Sequence, residues 1–324
     1  MAGKTSKYKP RLSRFCGAAV IILLVTFGID QFRREMSDDE YQNLVVSGSF
    51  RTVDAPYIPE PSTEIALSLG SSADQNSAAA ENIGQFQIIL PESTITEGML
   101  TLHDDLHPVK SGFTGEMVSL LSKKNEYYSL SSESVMLQTD AAEALNKLME
   151  DYNKATGLSD FVVYGTTDTF AGEGSCCPEI FSESQLGTTV DLALKAYGET
   201  IAFDGNDAES WITENCWKYG YILRFPQGKE NSTGHSYCPW HLRFVGKAHS
   251  ALMHDKQLSL EEYLNFISEY TAEHPLAFSF NAVDYKVFSV ESTGESTIAY
   301  VPSSGSYSTS GNSESGFIIT VPKG

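Results

Sequence analysis

The chain has 324 residues, 41% apolar and 11% aromatic, with 42 acidic against 22 basic side chains and a net charge of −20. This apolar content excludes a wholly disordered chain, the acidic balance excludes a nucleic-acid binder with a basic face, and five cysteines are too few for a dense disulfide framework. What remains is an acidic globular protein whose charge is unevenly placed.

Lys4, Lys7, Lys9, Arg11 and Arg14 give the first fourteen residues +5 with no acid, leaving −25 on the rest. Residues 15–29 follow as FCGAAVIILLVTFGI, uncharged and mostly apolar. As a helix they span roughly 22 Å, which snorkelling by Arg14 and Arg33 extends toward the ~30 Å hydrocarbon core. No small-residue cleavage site precedes Asp30, so the segment reads as an uncleaved signal anchor; a cleaved leader and a buried apolar helix are the competing readings. The expected topology is single-pass in the cell membrane. Residues 1–14 are cytoplasmic, 15–32 form the anchor, and the acidic remainder is extracellular by the positive-inside rule. Residues 33–84, rich in Ser, Ala, Asn and Gly, are expected to form a flexible tether with a reach of roughly 40 Å.

The globular part, 85–275, opens with FQIIL (86–90), a strand stopping at Pro91. Residues 140–156 predict the clearest helix. Asp140 and Glu143 have capping-box spacing, Ala141, Leu145, Leu148, Met149 and Tyr152 share one stripe, and Gly157 is the stop. FVVY (161–164) reads as a buried strand. A shorter helix is expected over 208–219, with Trp211, Ile212 and Cys216 inward and Gly220 at its end. YILRF (221–225) and HLRFV (241–245) alternate as strands do. Ser259 and Glu262 box a further helix over 259–270, with Leu260, Tyr263, Leu264 and Ile267 inward. Beyond Pro275, FSF, YKVFSV, TIAYV and GFIITV, separated by Ser/Gly turns, make 276–324 a β-rich extension. Helices and strands mix without a βαβ rhythm, so the fold class is α+β, a small mixed or antiparallel sheet with packed helices.

Two stretches carry the chemistry. The first is Ser182-Glu-Ser184-Gln185-Leu-Gly187-Thr-Thr-Val-Asp191. The second begins at Tyr219 as Y-G-Y-I-L-R-F-P-Q-G-K and ends at Gly246 as C-P-W-H-L-R-F-V-G. Together they resemble the zinc D-alanyl-D-alanine carboxypeptidases of the VanY type, which trim peptidoglycan stem peptides. The pattern of that family is S-x-H-x-x-G-x-x-x-D, then Y-G-F-I-L-R-Y-P-x-G-K leading to E-P-W-H-L-R. The resemblance implies a cleft between the two motifs, with the first helix packed behind the sheet. It also implies a zinc held by the His and Asp of the first motif and the His of the second, with a fourth position left for water. A Glu three residues before the last His would be the base, and an Arg in an S-G-Y-R turn would hold substrate or the developing oxyanion.

Carried over by position, the Asp falls on Asp191 and the second His on His241, the candidate metal ligands. The third-ligand position is Ser184, the catalytic Glu position is Cys238, and the Arg position is Thr167. The frame around them matches at Ser182, Gln185, Gly187, Gly220, Arg224, Pro226, Gly228, Lys229, Trp240 and Leu242. Ser182, Gln185, Trp240 and Arg224 are the candidate substrate-binding residues, with packing or structural charge as the plainer roles for Trp240 and Arg224. A plainer role is also open to Asp191, as a turn cap, and to His241, as a hydrogen-bonded core histidine.

Loss confined largely to the chemical positions implies a fold kept while its reaction was given up. The expected protein is a pseudoenzyme of the cell envelope that binds peptidoglycan stem peptide or a cell-wall protein, with zinc weak or absent. The alternative is a weakly active zinc peptidase in which Cys238, at C-x-x-H spacing from His241, supplies a third donor. Against that stands a structural role for Cys238 as a free thiol or in a disulfide. Cys176, Cys177, Cys216 and Cys238 allow three connectivities if all are paired. A bridge from 176 or 177 to 238 would reach the lost Glu position and could plug the cleft.

Overall fold

The computed structural model describes residues 85–103, 107, 116–165, 183, 185–196 and 198–323. The basic segment, apolar run and tether expected over 1–84 lie outside the described residues, as do Thr167, Cys176, Cys177, Ser182 and Ser184.

Strand β1 (Gln85–Pro91) ends at Pro91, as its sequence predicts. Pro91 is the last rung of an antiparallel ladder, opposite Ser296, where a missing N–H disturbs no central bond. After β2 (Met117–Ser119), α1 (Leu120–Lys123), β3 (Ser129–Leu130) and β4 (Met136–Gln138) comes the long helix α2 (Thr139–Thr156). Its buried stripe is the expected one, and Gly157 closes it in the left-handed region at φ 76°. Its start differs. Gln138 is the N-cap and makes no side-chain cap bond, so the Asp140–Glu143 box does not form. Asp140 lies inside the first turn instead, where its charge meets the helix dipole.

Strands β5 (Phe161–Tyr164), β6 (Thr189–Ala196) and β7 (Glu199–Ala202) follow. The helix expected over 208–219 is three pieces: a 3₁₀ turn at Asp207–Glu209, α3 (Ser210–Asn215) and a second 3₁₀ turn at Cys216–Tyr219. The tighter last turn delivers the chain to Gly220, at φ 96°, where a Cβ would lie 2.7 Å from the Phe244 ring. Then come β8 (Tyr221–Phe225), α4 (Glu230–Thr233), β9 (Cys238–Phe244), α5 (Lys247–Lys256) and α6 (Leu260–Ser268). The α6 capping box forms as its sequence predicts: Glu262 N–H donates to Ser259 Oγ, and Ser259 N–H donates to Glu262 Oε2. The chain ends in β10 (Leu276–Phe280), β11 (Val283–Glu291), β12 (Ser296–Pro302), β13 (Ser308–Gly311) and β14 (Gly316–Lys323).

The main sheet has the order β3-β5-β6-β9-β8, with β7 also on β6. Only the β3–β5 pair is parallel, so the sheet is mixed. Strand β6 is its axis, flanked by β5 on one edge and on the other by β9 and then β7. Side chains along a strand alternate between faces. Val190, Leu192, Tyr221, Leu242 and Phe244 therefore point to one face, where they meet Ala141, Leu145, Leu148 and Met149 of α2 in the first core. Asp191, Arg224, His241 and Arg243 are left for the opposite face.

That face is roofed by a second core of Leu100, Ile222, Val245, Leu252, Leu260, Tyr263 and Ile267, which also takes Phe278, Val287 and Ile318 from the C-terminal strands. The four-stranded sheet β10-β11-β14-β13 contributes apolar side chains to a core on each side. Val287 and Ile318 face the helices, while Phe288, Phe317 and Ile319 face Leu90, Ala299 and Val301 of the β1–β12 ribbon.

Candidate active site

Asp191 and His241 are direct partners in the β6–β9 register. Opposite residues of an antiparallel pair hold their side chains side by side, so the sheet itself brings these two groups together. His241 Nδ1 lies 2.5 Å from Asp191 Oδ1, and both residues are buried. The other ring nitrogen, Nε2, lies 3.3 Å from Glu183 Oε2. The imidazole is stacked on Phe225, with 5.6 Å between ring centroids and 13° between planes.

Glu183 is the residue that sequence reasoning missed. It occupies an unspecified position of the first motif, yet its side chain is only 2% exposed. Its Oε1 accepts hydrogen bonds from Arg243 Nη1 and from Arg224 Nε, the latter at 3.2 Å. Arg224 Nη2 continues to Glu261 Oε1 at 2.7 Å, and Arg243 Nη2 donates to the backbone carbonyls of Met99 and Thr101. The available signal was alternation: Arg224, His241 and Arg243 share an interior face with Asp191, and buried cations require paired anions.

Charge governs this cluster. Burial alone would raise the Glu183 carboxyl, but Arg243, then Arg224 and His241, hold it well below the usual carboxylate range. Burial alone would lower the His241 imidazole, but Asp191 and then Glu183 lift it to about 9. An imidazole flanked by a carboxylate at each nitrogen donates at both. Asp191, Glu183 and Glu261 then balance Arg224, Arg243 and the imidazolium, and a buried cluster needs that neutrality.

The donor set does not fit a catalytic zinc. Two ligands of a tetrahedral zinc each stand ~2.0–2.2 Å from the ion, hence more than about 3 Å from one another. Asp191 Oδ1 and His241 Nδ1 are closer than that and hydrogen-bonded to one another. Glu183 cannot join them at one ion, because it binds the opposite ring nitrogen. Residue 184 offers a neutral serine hydroxyl, a poor zinc ligand. Cys238 is fully buried and disulfide-bonded, so its sulfur is no thiolate donor.

The remaining candidates divide. Gln185 is exposed beside the cluster. Trp240 is half-buried and packs against Phe225 and Cys238 as well as the α2 core. Arg224 is buried within the ion network, although its Nη1 has no hydrogen-bond partner among the described residues. Gly187, at φ 67°, docks the first motif on β4: its carbonyl accepts from Gln138 N at 2.8 Å, and a Cβ would lie 2.9 Å from Met117 Sδ.

A family model described as VanY, D-alanyl-D-alanine carboxypeptidase, matches residues 175–247. A D-alanyl-D-alanine carboxypeptidase of Enterococcus faecium is 32% identical over 259 residues, covering 76% of this chain and 82% of that protein. The bifunctional D-Ala-D-Ala dipeptidase and D-Ala-D-Ala carboxypeptidase VanXYC of Enterococcus gallinarum is 35% identical over 92 residues, 27% of this chain and 48% of that protein. The crystal structure of the vancomycin resistance D,D-dipeptidase VanXYg, in complex with a D-Ala-D-Ala phosphinate analog, aligns with a TM-score of 0.63 at 23% identity. It covers 74% of this chain and 99% of that one, and shares its fold. With Asp191 of the first motif paired to His241 of the second and a relative matched along most of both lengths, the chain belongs to the VanY family of D-alanyl-D-alanine carboxypeptidases.

Proposed function

We propose that this protein binds peptides ending in D-Ala-D-Ala in a VanY-type cleft and does not hydrolyse them, as a membrane-anchored component of the cell envelope. Family membership supports the ligand class. The observation that carries the loss of hydrolysis is Cys238. At the position where the family places its general base stands a buried, disulfide-bonded cysteine, which can neither accept a proton from water nor bind a metal. Ser184 and Thr167 remove the third ligand and the oxyanion-stabilising cation of the family pattern. The frame positions around them, from Ser182 and Gln185 to Arg224 and Trp240, are kept, and these are the residues assigned to binding.

The test combines calorimetric titration of a D-Ala-D-Ala-terminated pentapeptide into the full chain with an assay of D-alanine release in the presence of zinc. Saturable binding without release is the expected outcome. Zinc-dependent release that His241→Ala abolishes would establish the protein as a peptidase with a non-standard ligand set and overturn the proposal.

A further inference from the structure

We propose that Glu183 is the positioning residue of this cleft, and that the hydrogen-bonded chain Glu183–His241–Asp191 makes the cross-link that a metal ion makes in the peptidases of the family. The inference rests on the reading of a cleft without zinc chemistry, and it names what takes the ion's place.

The geometry carries it in two steps. Asp191 and His241 are register partners, so their contact adds no connection beyond the β6–β9 ladder itself. Glu183 lies outside that ladder, in the first motif ahead of β6, and its own contacts fasten it to the sheet. Glu183 supplies the fastening through a single carboxylate, which binds Arg224 on β8 and both His241 and Arg243 on β9. Through Arg243 it reaches the Met99 and Thr101 carbonyls as well. A metal ion would draw both Asp191 and His241 toward itself and break their hydrogen bond. The chain and the ion are therefore alternatives at one place. Glu183, facing away from that place on the far ring nitrogen, holds His241 in the orientation that serves Asp191.

The test follows the His241 ring protons by NMR in the full chain labelled with ¹⁵N-histidine. Spectra are recorded after treatment with EDTA and after addition of equimolar zinc, with zinc content measured on the same samples. Two slowly exchanging, downfield imidazole N–H signals are expected, unchanged by either treatment, with no zinc retained. Asp191→Asn is expected to shift the Nδ1–H signal, and Glu183→Gln the Nε2–H signal. Loss of the Nδ1–H signal together with stoichiometric zinc overturns the inference. So does a Glu183→Gln spectrum identical to the wild type. If Glu183→Gln does not fold, the wild-type zinc comparison and Asp191→Asn decide. The two proposals fail separately. Persistent signals in a protein that binds no D-Ala-D-Ala peptide refute the function and leave the chain standing. Bound zinc without D-alanine release refutes the chain and leaves the function standing.

Discussion

At the scale of single residues, the cluster around Glu183 and His241 is a buried network of charges, and its residues are interdependent. Removing one member of a buried ion pair leaves the other uncompensated and typically costs about 3–5 kcal/mol. Arg243→Met should therefore destabilise the fold by about that amount in urea denaturation, because Glu183 loses its nearest cation and the Met99–Thr101 carbonyls lose a donor. Cys216 gives a prediction of the opposite kind. It is a buried free thiol whose titration burial pushes up to about 12, so the unreactive thiol form dominates near neutral pH. A thiol reagent should leave Cys216 unlabelled in the native protein and modify it only on unfolding. Labelling at a rate near that of a free cysteine would contradict the burial. Asp191 and His241 were legible in the sequence because a metal-ligand pattern names them. Glu183 was not, because that pattern leaves its position blank. Only the placement of Arg224, His241 and Arg243 on one face of the sheet shows that a second carboxylate is required.

At the scale of elements, the legible features were those with a local cause. The apolar stripe of α2, the Gly157 stop and the Ser259–Glu262 box each follow from residues within one or two turns. The Asp140–Glu143 spacing misled because β4 runs directly into α2. Gln138 is both the last strand residue and the cap, which moves the helix start upstream of Asp140. A pair of substitutions separates the two boxes. Ser259→Ala should cost ~1 kcal/mol in denaturant midpoint experiments, whereas Asp140→Ala should cost only a few tenths, through the helix dipole.

The joint between α5 and the C-terminal sheet supplies a pH-dependent case. His249 on α5 shares hydrogen bonds with Tyr263 Oη at 2.6 Å and with Thr320 Oγ1 at 3.0 Å, and burial lowers its pKa from 6.5 to about 4. The unfolded chain therefore binds a proton at this site that the folded chain resists. The contribution is complete above pH 6.5 and is lost as pH falls from there toward 4. At about 1.4 kcal/mol per pH unit, acid should remove up to ~3 kcal/mol through this residue. His249→Phe should flatten that part of the stability-versus-pH curve, and an unchanged slope would assign the acid sensitivity elsewhere.

At the scale of the whole molecule, the charge distribution bears on the membrane attachment proposed above. The first fourteen residues carry +5 and the remainder −25. Among the described residues no helix is long and apolar enough to cross a bilayer. The proposed attachment rests on the sequence of residues 15–32, which lie outside the described residues and combine an uncharged apolar run with a basic flank. Apolar insertion and electrostatic adhesion respond differently to salt, since ionic attraction is screened within ~10 Å at 0.1 M while apolar burial is not. The full chain should sediment with membranes and stay there through washes at high salt and at alkaline pH. Deleting residues 1–32 should release it to the soluble fraction with its urea midpoint unchanged, because among the described residues the buried members of the three cores begin at Leu90. Release of the intact chain by salt alone would show that its attachment is electrostatic and that the apolar run is no anchor.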